Sequence, residues 1–124
     1  MKEILGVMMG GGFGALARWA LCGWTRRCWS TSFPFGTLLV NIFGAFLIGF
    51  LAAEALFPLN RHPVWTTTLI AGCLGGFTTF SAFSLETMQL ASSGAAGHAL
   101  LNVAANVGLA LLSTAAGFAL GKMV

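Results

Sequence analysis

A double glycine, four hydroxyl residues and three phenylalanines lie close together in Gly72-Cys73-Leu74-Gly75-Gly76-Phe77-Thr78-Thr79-Phe80-Ser81-Ala82-Phe83-Ser84. Glycine costs a helix about 1 kcal/mol relative to alanine, so Gly75-Gly76 is a weak point in any helix here. A break there would bare backbone carbonyls, which bind cations, beside half-helix N-termini, which favour anions. Phe80 and Phe83 are three apart and fall on nearly the same side of a helix. A ring edge carries partial positive charge, so such a pair can meet a small anion without a countercharge, or can simply pack. Elsewhere Thr37 and Asn41 are four apart and present a hydroxyl and an amide together, an uncharged donor set suited to a strongly hydrated ion. Asn102, Asn106 and Thr114 are spaced four and eight apart, with Ala110 between, and draw a polar stripe on an apolar helix. Hydrogen bonding between helices and the lining of a pathway both account for that stripe. Glu86 is either a proton or cation site or the partner of an arginine.

These residues need elements to carry them, and composition restricts which. Of the 124 residues 57% are hydrophobic and only 7% charged, against roughly 25% charged in soluble domains. Disorder is excluded by the apolar content, and a collagen helix by the absence of a three-residue glycine period. The chain reads as an integral membrane protein. At about 20 apolar residues per span, it has room for four helices and no soluble catalytic domain. The runs predict spans over Ile4–Cys22, Gly36–Leu56 (with Glu54 near its exit), Val64–Leu90 and His98–Gly121. The connections are a basic stretch through Arg26 and Arg27, a turn through Arg61 and His62, and a small-residue loop around Gly94. Short connections imply an antiparallel bundle, forming a single domain over 1–124. Gly6, Gly10 and Gly14 form a ridge of the kind that lets helix backbones approach, and Gly72/Gly76 and Gly117/Gly121 repeat the spacing.

Other signals are set aside. Lys2, an apolar run and Ala15-Leu16-Ala17 imitate a signal peptide, but cleavage would discard the most glycine-patterned helix. Gly12-Phe13-Gly14-Ala15-Leu16-Ala17 fits a loose dinucleotide fingerprint without the preceding strand or the acidic residue about 20 positions on. Cys22, Cys28 and Cys73 form neither a disulfide framework nor a CxxC site. A net charge of +3 is too small for a nucleic-acid footprint. Four spans put Lys2, Arg61 and Lys122 on one side, and Arg26 and Arg27 on the other, with Arg18 if it reaches the interface. The Lys/Arg difference sets orientation, so this near balance permits insertion both ways and an antiparallel pair; small counts also give it by chance. Trp19, Trp24, Trp29 and Trp65 fall near span ends, as an interfacial aromatic belt does.

Three segments together resemble the CrcB-type (Fluc) fluoride channel family: Gly11-Gly12-Phe13-Gly14-Ala15-Leu16-Ala17-Arg18-Trp19, Gly36-Thr37-Leu38-Leu39-Val40-Asn41-Ile42-Phe43-Gly44, and Gly75 through Ser84. The resemblance spans nearly the whole chain. It implies an all-α membrane protein of four transmembrane helices, the third broken mid-membrane, in an antiparallel dual-topology homodimer of the cell (inner) membrane. It implies passive fluoride export through two pores lined by both subunits, with a structural sodium ion at the dimer centre. By the same resemblance Phe80 and Phe83 are the aromatic box that meets fluoride. Asn41 is then an amide donor with Thr37 close by, and Ser81, Glu86, Asn102, Asn106 and Thr114 a polar track. Arg18 is the basic residue of a vestibule, and Gly75 and Thr78 give backbone carbonyls to sodium. Ala82 and Ala110 depart from the hydroxyl residues that most or many members carry there. Two competing readings are a proton-coupled multidrug exporter and a non-conducting assembly subunit. The exporter needs a carboxylate within the first span, where the chain offers only Glu3 at the very end.

Overall fold

The computed structural model describes residues 1–53 and 63–123. The regular structure among them is helical: α1 (Lys2–Cys28), α2 (Phe35–Ala52), α3 (Pro63–Thr66), a π-helical segment (Thr67–Leu74), α4 (Gly75–Phe77), α5 (Phe80–Ser92) and α6 (Ala96–Gly121). The stretch from α3 through α5 makes one span, so four helical stretches are long and apolar enough to cross a membrane. The expected exit of the second span at Glu54, and the turn with Arg61 and His62, lie outside the described residues.

Boundaries shift where local chemistry overrides composition. The first helix runs on through Thr25-Arg26-Arg27 to Cys28, beyond the end expected from apolarity. Cations in a last turn are favoured by the helix dipole, and the Thr25 hydroxyl donates to the Cys22 carbonyl at 3.0 Å. The fifth helix ends where Gly94 takes φ +84. There the Ala95 N–H reaches Leu90 at 3.0 Å and the Gly94 N–H reaches Ala91 at 3.2 Å, the paired bonds of a Schellman cap. Within the third span the helix stops at Phe77 and restarts at Phe80. The break expected at the double glycine thus falls on Thr78-Thr79, while Gly75-Gly76 stay helical.

The glycine ridges explain why those glycines are not the break. A β-carbon at Gly10 would meet the Thr68 carbonyl, at Gly14 the Cys73 carbonyl, and at Gly76 the Gly11 backbone. The third span therefore lies backbone to backbone on α1. In the same way Gly117 faces the Phe46 carbonyl and Gly49 the Thr114 carbonyl, joining α6 to α2. The interior so formed is notably polar: Thr25, Thr37, Thr79, Asn102 and Asn106 are buried, while Met8, Phe13, Leu111 and Leu112 are exposed. Apolar outside and polar within is the arrangement a lipid solvent favours. At one end Trp24, Trp29, Phe35 and Phe33 form successive ring contacts with centroids 4.9–6.3 Å apart.

Gly14→Val should destabilise the bundle by about 1–3 kcal/mol through overpacking, seen as a lowered melting temperature in detergent. Gly23→Ala on the same helix, where an added β-carbon meets nothing within 4 Å, should melt like the parent chain. Equal melting of the two variants would refute the backbone contact.

Candidate functional site

The break leaves two residues in extended conformation, Thr78 (φ −76, ψ 158) and Thr79 (φ −151, ψ 118). The Thr78 N–H still closes a helical bond to the Leu74 carbonyl at 3.0 Å, but the Thr79 peptide groups lie outside the ladder and need other partners. Asn41, on α2, meets this need: its Oδ1 accepts the Thr79 N–H at 2.9 Å, and its Nδ2 donates to the Thr79 carbonyl at 3.1 Å. The Thr79 hydroxyl then caps α5 by accepting the Ala82 N–H at 3.2 Å, a common helix-start interaction. It also lies 3.3 Å from the Ser81 hydroxyl.

From Asn41 a line of side chains crosses to α6 and returns to α5. Asn41 Nδ2 donates to Asn106 Oδ1 at 2.8 Å. Asn106 Nδ2 donates to Asn102 Oδ1 at 2.9 Å and to its carbonyl at 3.1 Å. Asn102, fully buried, donates to Thr87 Oγ1 at 2.9 Å, and Thr87 donates to the Phe83 carbonyl at 2.7 Å. The polar stripe thus bonds helices together along Asn102 and Asn106. Thr114, its third member, donates to the Ala110 carbonyl of its own helix at 3.0 Å.

Two cavities flank the break. The first, about 700 Å³, runs from Arg18, Trp19, Arg26 and Trp29 down to Thr37, Thr79 and Glu86. Thr37 donates to Glu86 Oε1 at 2.8 Å, and Glu86 Oε2 is buried without a hydrogen-bond partner among the described residues. The second cavity, about 460 Å³, is lined by Asn41, Gly75, Thr78, Thr79, Phe80, Phe83, Asn106 and Thr114 among apolar neighbours. Phe80 and Phe83 meet edge to face with centroids 5.3 Å apart. Phe83 is buried, but the Phe80 ring is 76% exposed on this single chain. Ser81 and Asn102 line neither cavity.

The break also decides which carbonyls are free. A continuous helix would bond the Thr79 N–H to the Gly75 carbonyl and the Ala82 N–H to the Thr78 carbonyl. Those two donors go to Asn41 Oδ1 and to Thr79 Oγ1 instead. Gly75 and Thr78, the residues the resemblance pairs with sodium, therefore have carbonyls released from the ladder by the break itself. No group of three or more His, Cys, Asp or Glu able to hold a metal occurs among the described residues.

Sequence reasoning overlooked Thr79, which lines both cavities, and Thr87. Thr79 did carry a signal, a hydroxyl residue directly before a helix start. Thr87 had none, because its partner Asn102 belongs to another helix.

A family model described as CrcB-like protein, Camphor Resistance (CrcB), matches residues 5–118. A protein of Rhizobium meliloti named fluoride-specific ion channel FluC is 42% identical over 120 residues, covering 97% of this chain and 96% of its own length. Proteins of the same name from Sulfurihydrogenibium and Geobacter sulfurreducens are 35% and 44% identical. They cover 100% and 94% of this chain, and the same shares of their own lengths.

The Thr37–Glu86 contact is testable apart from any activity. Thr37→Val leaves both carboxyl oxygens of Glu86 unpartnered and should cost about 1–3 kcal/mol, whereas Thr37→Ser should melt near the parent. Equal melting of all three in detergent would show that the carboxyl does not depend on this hydroxyl.

Proposed function

The chain belongs to the CrcB-like protein family, and from that premise we propose that it is a fluoride-selective ion channel exporting fluoride passively across the cell inner membrane. It is a multi-pass membrane protein and no enzyme. The observation that carries the reading is the interrupted third span, with Phe80 and Phe83 directly after the gap and facing a cavity whose lining side chains are all uncharged. The shared name of the relatives supports it.

Fluoride is small and strongly hydrated, so losing water is the main barrier. A conducting site must replace that water and still release the ion. Arg18 at the first cavity would concentrate anions. Thr37 and Glu86 line the approach to the break in this reading, with the Ser81 hydroxyl 3.3 Å from that of Thr79, and Phe80, Phe83, Asn106 and Thr114 the far side, with Asn102 behind them and Asn41 at the junction. Ring edges and hydroxyls attract a halide weakly enough to let it go. Ala82 and Ala110 contribute no hydroxyl to this route.

The working unit in this reading is an antiparallel homodimer in the lipid bilayer, with two pores lined by both subunits. The exposed Phe80 ring and the released carbonyls beside it support a covering partner. The Gly75 and Thr78 carbonyls, doubled by a twofold axis, would hold a structural sodium ion. An all-oxygen, uncharged donor set fits a hard monovalent cation, which would supply fixed positive charge at the dimer centre.

Phe80→Ile should abolish fluoride efflux from potassium-loaded proteoliposomes given ionophore, while the purified protein keeps its elution volume and melting temperature. Undiminished efflux in that variant would sink the assignment. Proton-dependent efflux by the parent chain would favour the exporter, and no efflux the assembly subunit.

A further inference from the structure

The hydrogen bonds around the break run head to tail in one direction. The Thr79 N–H donates to Asn41 Oδ1 at 2.9 Å, and Asn41 Nδ2 donates to Asn106 Oδ1 at 2.8 Å. Asn106 Nδ2 donates to Asn102 Oδ1 at 2.9 Å, and Asn102 Nδ2 to Thr87 Oγ1 at 2.9 Å. The Thr87 hydroxyl then donates to the Phe83 carbonyl at 2.7 Å. The circuit thus leaves the backbone at the N-cap of α5 and returns to it four residues later, in the first turn of that helix. Phe80 and Phe83 both belong to the turn it encloses.

Its direction is dictated from both ends. A backbone N–H can only donate, so the Asn41 atom that faces Thr79 is the oxygen. A carbonyl can only accept, so the Thr87 hydroxyl gives its single hydrogen to Phe83 and can only accept from Asn102. The two amides of α6 must then follow in the order observed, and no donor meets a donor. A half-satisfied buried network is worse than an apolar core, so the last link matters as much as the first. Thr87 is that link. It is half-buried and lines neither cavity, yet its hydroxyl joins the fully buried Asn102 to the backbone that carries the rings.

We infer that Thr87 is a positioning residue for the phenylalanine pair: by closing the circuit onto the Phe83 carbonyl it ties the first turn of α5 to α6 and holds the Phe83 ring at the wall of the second cavity. The inference rests on the fluoride-channel reading and leaves the pathway roles proposed there unchanged.

The experiment compares four full-length proteins: the parent, Thr87→Val, Thr87→Ser and Thr67→Val. Valine keeps the shape of Thr87 without its hydroxyl, and serine keeps the hydroxyl. Thr67 donates the same kind of bond, to the Pro63 carbonyl at 2.7 Å, away from both cavities. Fluoride efflux from proteoliposomes is read on all four. Each is also prepared with para-fluorophenylalanine at position 83, and the fluorine NMR signal of that ring is recorded in fluoride-free detergent. Thr87→Val should slow efflux by roughly tenfold, the worth of about one hydrogen bond. It should also split or broaden a ring signal that is single and sharp in the parent. Thr87→Ser should return both readouts to near the parent, and Thr67→Val should change neither. Parental efflux in Thr87→Val would overturn the inference. Slowed efflux beside an unchanged ring signal would overturn it as well, because Thr87 would then act apart from the ring. If Thr87→Val does not fold, the parent decides: a hydroxyl proton held by the Phe83 carbonyl gives its own slowly exchanging NMR signal, and its absence would break the circuit. A parent chain that passes no fluoride counts against the channel reading, and the ring spectra still test the positioning.

Discussion

A peptide group in hydrocarbon must be hydrogen-bonded by the protein, because unsatisfied backbone polar groups there cost several kcal/mol each. That constraint governs this molecule, whose third span interrupts its ladder at Thr78-Thr79. The gap persists because its donors are reassigned. The Thr79 N–H goes to Asn41 and the Ala82 N–H to the Thr79 hydroxyl. What remains unbonded by the ladder is carbonyl oxygen, the group that can serve a cation. The chemistry of the site is therefore a residue of how the break is satisfied, and Asn41 sets it from a neighbouring helix.

Such contacts require backbones closer than ordinary side chains allow. Gly44 sits where a β-carbon would strike the Thr78 side chain, and Gly49 and Gly117 press α2 and α6 together at the Thr114 and Phe46 carbonyls. With those helices in contact, short amide side chains suffice to join them, and Asn41 reaches Asn106 at 2.8 Å. Larger residues at the crossings would part the amides even if every polar residue were kept. In a lipid solvent, where apolar burial drives no association between helices, the small residues and the polar line act as one device.

The sequence disclosed periodic features and hid pairwise ones. Apolar runs announced four spans, and four-residue glycine spacing marked the crossing faces, because both report which side of a helix a residue occupies. The same logic found Asn102 and Asn106 but left two accounts of them open. Both turn out to bond helices, Asn102 to Thr87 and Asn106 to Asn41, and Asn106 also lines a cavity. Glycine propensity pointed to Gly75-Gly76 for the break, yet those residues answer to helix packing, and the extended pair follows them. The Thr37–Glu86 bond joins residues 49 apart in sequence, and no local pattern reports such a partner. Arg26 stayed helical where composition suggested a loop, since its favourable place at a helix C-terminus is an electrostatic matter rather than an apolar one.

Under the channel reading, the placing of charge in the two cavities would have a kinetic rationale. Arg18 and Arg26, with Glu86 at the inner end, line the wider cavity, whereas the one holding Phe80 and Phe83 has no ionisable side chain in its lining. A full charge about 4 Å from an anion attracts it by about 4 kcal/mol at an effective dielectric of 20. At 1.4 kcal/mol per factor of ten, that attraction would slow escape by nearly a thousandfold. Ring edges, worth about 0.5–1.5 kcal/mol in aromatic pairs, and single neutral hydrogen bonds, worth about 1 kcal/mol net, stay within a tenfold range each. In the proposed channel, several weak contacts in series would replace hydration in steps, and none of them would hold the ion long. In that channel, charge would be useful in the wider cavity, where it would raise local anion concentration, and harmful beside Phe80 and Phe83, where it would trap. The separation of the Arg18 and Arg26 guanidinium groups from the Phe80 and Phe83 rings satisfies both demands of that reading.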